Sequence, residues 1–209
     1  RQSVPPLLAA LVDPYPLVAQ AAALALENLS GHARPFQAFA GVDDRERQAR
    51  AWRAWFETNS WDQIEQELVR RLDDPDRDVV RRAAVALGHT GGDDARRALR
   101  QYVARQRHDN PLPDWRKAGH RGDAARFNSL APVNPRTLQA ATRSLGYLRD
   151  TAAVPLLAET IAQHSDAETA NLFLTEAAVE ALGRIAGPEA EAALVDAFAG
   201  LQDYPRYTS

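Results

Sequence analysis

Residues 77–99, "RDVVRRAAVALGHTGGDDARRAL", decide the fold. From Val80 the apolar positions fall at Ala83, Ala84 and Leu87, a spacing that places them on one stripe of a 3.6-residue helix. Gly88 and the pair Gly91-Gly92 are expected to end that helix, since glycine accepts the left-handed backbone of a helix terminus. Asp93 or Asp94 is then placed to cap a second helix, where Ala95, Ala98, Leu99, Tyr102 and Val103 repeat the pattern. Each helix has one apolar side, and neither can bury it alone.

The same arrangement recurs along the chain. "AAVALG" at 83–88 returns as "ATRSLG" at 141–146 and "AVEALG" at 178–183, with "AAALALE" at 21–27 as a weaker copy. When Gly88, Gly146 and Gly183 are aligned, alanine stands five positions earlier (Ala83, Ala141, Ala178) and seven later (Ala95, Ala153, Ala190). Leucine stands eleven later (Leu99, Leu157, Leu194). Small residues at fixed inward points let helices approach at the short end of the roughly 8–10 Å packing range. Gly146 and Gly183 lie 37 residues apart, whereas Gly88 and Gly146 lie 58 apart and Glu27 and Gly88 lie 61 apart. Two units therefore carry insertions.

Three segments together resemble the HEAT-repeat family, and more narrowly the short bacterial HEAT-like repeats found also in phycobilisome-lyase-type proteins. They are "DPDRDVVRRAAVALGHTGGDDARRAL" with its "DP" turn at 74–75, "RTLQAATRSLGYLRDTAAVPLL" at 136–157 and "EAAVEALGRIAGPEAEAALVDAF" at 176–198. The resemblance implies an all-α fold, a right-handed α-α solenoid of about four HEAT-like helix pairs with two insertions. The units are expected near 4–31, 61–107, 135–163 and 168–200, and the insertions near 32–59 and 108–134. On such scaffolds function lies in grafted surface.

Composition agrees. A chain of 209 residues, 45% hydrophobic, can bury a substantial core. It has no apolar run long enough to span a membrane, and "RQSVPPLL" has no signal-peptide apolar stretch, so it reads as soluble with its compartment open. The absence of cysteine excludes disulfides, thiolate nucleophiles and cysteine zinc sites. Arg1 in place of a methionine and the terminal "DYPRYTS" lead to the expectation of a fragment of a longer protein.

Charge is unevenly distributed: net −3 over residues 1–69, +8 over 70–149 and −8 over 150–209. Seven positions before each aligned glycine stand Arg81, Gln139 and Glu176, and three before stand Val85, Arg143 and Glu180. At about 100° per residue these positions lie well round the helix from the Ala/Leu stripe. They therefore form columns whose charge changes from plus to minus. In the HEAT family the second helix of each pair lines the concave groove, so the resemblance implies that these columns line a groove that would orient a partner of complementary charge. Arg82, Arg97 and Arg100 fall on other faces and read as plain solvated arginines.

The first insertion reads as an extra helix from about Asp43 to Thr58. Trp52, Trp55 and Phe56 form one aromatic face, expected to pack the helix onto the repeats, with an exposed stacking platform as the alternative. Ser60 and Gln63 then fit a capping box. The second insertion, 108–134, is rich in proline, glycine and asparagine and offers Trp115, Arg116, His120 and Phe127 among its recognition-type side chains. The candidate partner-binding set is thus Arg81, Gln139, Arg143, Glu176, Glu180, Trp115, Arg116, His120 and Phe127.

Catalytic signals are weak. The five histidines show no metal-ligand spacing beyond His108 and His120 with an aspartate, His89 reads as a solvated residue of the glycine turn, and no serine sits in G-x-S-x-G. "GHTGG" lacks the strand and lysine of a phosphate loop. The expectation is a non-catalytic scaffold without cofactor or metal, mediating protein-protein interaction or domain spacing, its partner another protein or another domain of the same polypeptide. Two alternatives stand beside it, a chromophore- or cofactor-handling lyase-type protein and a nucleic-acid-binding HEAT-like protein. The acidic final third argues against the second.

Overall fold

The computed structural model describes residues 2–108, 135–164 and 172–202. Among these residues the chain is all-helical: α1 (Val4–Ala10), α2 (Pro16–Ser30), α3 (Val42–Thr58), α4 (Trp61–Arg70), α5 (Arg77–Thr90), α6 (Asp93–His108), α7 (Pro135–Tyr147), α8 (Val154–His164), α9 (Leu172–Ile185) and α10 (Pro188–Gln202). Single 3₁₀ turns at Arg71–Asp73 and Thr151–Ala153 complete it. The chain divides into two compact units, residues 1–95 and 96–209.

In the first unit α2 packs on α1 and α5, and α4 packs on α5. The extra helix α3 begins one residue before the expected start, and its aromatic face turns inward. Trp52 is 0% exposed and lies in a cluster with Val4, Leu11, Ala22, Ala23, Leu26 and Ala49, flanked by Phe36, Phe56 and Trp61. Trp52 is a packing residue, as the i, i+3, i+4 spacing implied, whereas Trp55 is half-buried. The entry to α4 is a reciprocal capping box: Gln63 N–H donates to Ser60 Oγ at 3.3 Å and Ser60 N–H donates to Gln63 Oε1 at 2.9 Å. At the "DP" turn, Asp74 accepts from Asp76 N–H, and Asp76 caps α5 by accepting from Asp78 N–H.

The quoted stretch does form two helices, but its glycines act otherwise than expected. Gly88 lies inside α5, which continues to Thr90, and His89 is therefore an exposed helical residue and not part of a turn. Gly91 ends the helix in extended, not left-handed, conformation, with φ −72°. What requires glycine there is space, since a Cβ would stand 2.2 Å from the Ala95 Cβ and 2.6 Å from the Leu87 carbonyl oxygen. The free amides at the start of α6 are met from another helix: Glu65 Oε1 accepts from Gly92 N–H at 2.7 Å and from Ala95 N–H at 3.0 Å.

In the second unit the repeat becomes a two-layer stack. α7 packs on α9, α8 packs on α10, and α9 bridges to both α8 and α10. Ala83, Ala141 and Ala178, then Ala95, Ala153 and Ala190, then Leu99 and Leu157, are all buried, and Leu194 is half-buried. At Gly146 a Cβ would lie 2.6 Å from the Ala181 Cα, so the small residue sets how closely α7 and α9 approach. Successive corners are also joined by polar contacts: Arg96 donates to the Leu148 carbonyl, and Arg100 pairs with the buried Asp150 carboxylate. Arg100 is thus an internal tie and not a solvated arginine. Burying Asp150 without that guanidinium would leave an uncompensated charge.

Three variants check this packing by chemical denaturation. Trp52→Ala should cost about 3–5 kcal/mol, as for a large buried aromatic. Gly146→Ala should cost roughly 1–3 kcal/mol from overpacking against Ala181. Gly183→Ala, at the equivalent position but with nothing within 4 Å, should instead gain about 0.5–1 kcal/mol from helix propensity.

Candidate functional site

The outward side of the α7–α9 layer gathers four of the predicted residues. On α7, Gln139, Arg143 and Tyr147 succeed one another at spacings of four, and on α9 Phe173, Glu176, Glu180 and Arg184 do so at three or four. Gln139 Nε2 donates to the Phe173 carbonyl at 3.3 Å. Arg143 reaches across to two carboxylates, Nε to Glu180 at 2.8 Å and Nη2 to Glu176 at 3.7 Å. Arg184 returns to Glu180 at 2.9 Å, and its guanidinium lies 4.4 Å from the centre of the Tyr147 ring. The result is a ladder joining two helices, with exposed rings among its charged rungs: Phe173 is 69% exposed and Tyr147 42%.

The hydrogen bonds from Arg143 and Arg184 hold the Glu180 carboxyl below its ordinary range. Glu180 thus stays ionised to lower pH than a free glutamate. A depressed carboxylate contributes stability above its unfolded pKa and loses it as pH falls through the folded one. Because the partners are partly solvated, the coupling is of surface magnitude, about 0.2–1 kcal/mol.

Of the remaining predicted residues, Arg81 belongs to the first unit, on α5, where it faces Asp78 at 3.4 Å on its own helix. Trp115, Arg116, His120 and Phe127, with the 108–134 insertion that carries them, lie outside the described residues. Sequence reasoning missed Phe173, Tyr147 and Arg184. The signal was present, since they stand ten before and one after their aligned glycines and extend the columns already drawn.

The first unit holds a second concavity, of about 420 Å³, between α3, α4 and the segment after α2. His32 stacks on Trp55 with centroids 4.5 Å apart and meets Trp52 edge-on at 5.7 Å. Burial, with Arg34 and Arg71 nearby, lowers the His32 pKa, so the ring is neutral at pH 7. Much of the polar lining is already engaged, His32 Nε2 being the exception. Glu67 pairs with Arg70 at 2.7 Å and Arg71 at 3.0 Å, Arg71 also donates to the Gly31 carbonyl, and Asn59 donates to the Trp55 carbonyl. These groups hold the corner together and compose no nucleophile with a base. Among the described residues no group of three or more His, Cys, Asp or Glu is placed to hold a metal, and no helix is long and apolar enough to cross a membrane.

With paired helices stacked on pairs and a polar outer ladder, the class is that of a helical repeat fold. A family model described as HEAT repeats matches residues 126–207. That part of the chain is accordingly similar to HEAT repeats, in keeping with the resemblance drawn from the repeated segments. No curated protein matches the chain.

Two measurements probe these arrangements. A double-mutant cycle of Arg143→Ala and Glu180→Ala should give a coupling of about 0.2–1 kcal/mol that shrinks in high salt. His32, whose pKa is lowered on folding, contributes stability that is complete above its unfolded pKa and is lost as pH falls below it. Imidazole resonances followed by NMR should therefore show His32 titrating below the ordinary histidine value, with unfolding free energy declining from about pH 6.5 downward.

Proposed function

We propose that this chain is a non-catalytic scaffold that binds a protein segment across the α7–α9 ladder, with the 108–134 insertion contributing to the same recognition. The observation that carries the reading is the ladder itself. Its arginines are neutralised by glutamates of the adjoining helix, while Phe173 and Tyr147 stay accessible. A surface of paired charges and exposed rings matches the make-up of protein interfaces, in which aromatic residues and arginine are enriched. It suits a polyanion poorly, because each guanidinium already has a carboxylate and α9 lies in the acidic final third of the chain.

The test is affinity capture from source-cell lysate with three baits: the intact chain, a Phe173→Asp/Tyr147→Ala variant, and a chain whose residues 108–134 are replaced by a Gly/Ser linker. The expected result is a protein retained by the intact chain and at least tenfold depleted on the ladder variant, with partial loss on the linker variant. Salt-sensitive retention of DNA or RNA would favour the nucleic-acid reading, and a visible absorption band in the captured material the cofactor-handling one. Turnover of any substrate by the isolated chain would overturn the non-catalytic assignment.

A further inference from the structure

The first insertion builds a concavity that the repeat alone does not have. Gly31 turns the chain out of α2 in left-handed conformation, φ +62°, and a Cβ there would collide with the Leu68 side chain, so the chain passes α4 at close range. Ser30 Oγ then accepts from His32 N–H at 3.1 Å, and the His32 ring is covered by Trp55 of α3. Bounded by these two segments and α4 is the volume of about 420 Å³ described above, within the roughly 300–1,000 Å³ of small-molecule sites. Its apolar lining includes Trp55, Ile64 and Leu68, and its polar rim is carried by α4 and the residue after it.

The groups of that rim are engaged with one another, yet they have donors to spare. Glu67 has both oxygens taken, Oε1 by Arg71 Nε at 3.0 Å and Oε2 by Arg70 Nη2 at 2.7 Å. Two guanidiniums thus share one carboxylate, which leaves the rim one positive charge in excess. Arg71 spends Nη1 on the Gly31 carbonyl, while its Nη2 makes no hydrogen bond among the described residues. The Arg70 side chain is 74% exposed. The amide nitrogen of Gln63 is likewise uncommitted among the described residues, since the capping box uses only its Oε1 and its backbone N–H. A cation would meet no free carboxylate here, whereas an anion meets three sources of N–H donors, two of them guanidinium forks that match a planar carboxylate. The anion needs an apolar body, because the rest of the lining would otherwise face water, and the half-buried Trp55 offers a rigid aromatic surface for a ring. We infer that this concavity binds a small aromatic carboxylate, its anionic end received by Arg70, Arg71 and Gln63 and its ring held against Trp55.

The probes are acetate, benzoate and 2-naphthoate, with 2-naphthamide as the uncharged counterpart and N-acetyl-Gly-Gly-Phe as a chain terminus, each titrated into the full chain by isothermal calorimetry. The expected result is saturable binding that strengthens from acetate to 2-naphthoate, reaching a Kd of about 1 mM or tighter, with the amide at least tenfold weaker. Arg70→Gln should weaken 2-naphthoate at least fivefold, and Arg70→Glu further. Because Arg70 is exposed, both variants should keep the melting behaviour of the parent. Arg53→Gln, an equal loss of charge on α3 beside a different cavity, should leave binding unchanged. At saturation the imidazole resonances of His32 should shift in NMR spectra while those of His89 stay in place. No binding of 2-naphthoate, equal binding of the amide, indifference to both Arg70 variants, or an unmoved His32 overturns the proposal. Acetate binding as tightly as 2-naphthoate overturns it in favour of an adventitious ion only. The peptide binding at least tenfold tighter than 2-naphthoate overturns it in favour of the carboxyl end of another chain.

Discussion

The stacking of the second unit depends on one close approach, Gly146 of α7 against Ala181 of α9. Where two helices meet backbone to backbone, the larger residues on either side interdigitate, and Leu145, Leu157, Leu174 and Leu182 are all removed from water around that point. The approach also brings the polar edges of α7 and α9 within reach of each other, so that Arg143 can bridge to Glu180. A bulkier residue at position 146 would thus separate the guanidinium from its carboxylate as well as open the core.

The first unit solves the same burial problem with aromatics. α1 has only seven residues, all apolar, of which Val4 alone is buried. The inserted helix α3 closes that side, placing the whole Trp52 indole beneath α1 and α2 and stacking Trp55 on His32. A neutral imidazole suits this position, since a charged one would stand in a desolvated corner beside Arg34 and Arg71. The cost is visible in polar bookkeeping, where His32 Nε2 and Trp52 Nε1 are buried without a hydrogen-bond partner among the described residues.

Much of the architecture was legible because it rests on periodicity. The Ala and Leu columns, the aromatic face of α3 and the Ser60/Gln63 capping box are local patterns with local physical causes. What was misread depends on contacts distant in sequence. The role of Gly91 is fixed by Ala95 and Leu87 packing over it, and that of Gly146 by Ala181, so neither follows from the backbone freedom of glycine. Arg100 looks solvated in a helical projection, and only its encounter with Asp150 fifty residues on makes it structural. For the site, the columns located Gln139, Arg143, Glu176 and Glu180, but their pairing across two helices, and the rings of Phe173 and Tyr147 beside them, needed the register of α7 on α9.

The two kinds of contact between α7 and α9 respond differently to the medium. The Gly146–Ala181 approach is dispersive and indifferent to ions, whereas the ladder is partly solvated and its attraction decays over a screening length of about 8 Å at physiological ionic strength. In dilute salt the two helices are fixed both in spacing and in rotation about their common contact. In concentrated salt the ladder's share shrinks, while the interdigitated leucines around the glycine contact continue to hold both. The joint thus has a small part that answers to the surrounding electrolyte and a larger part that does not.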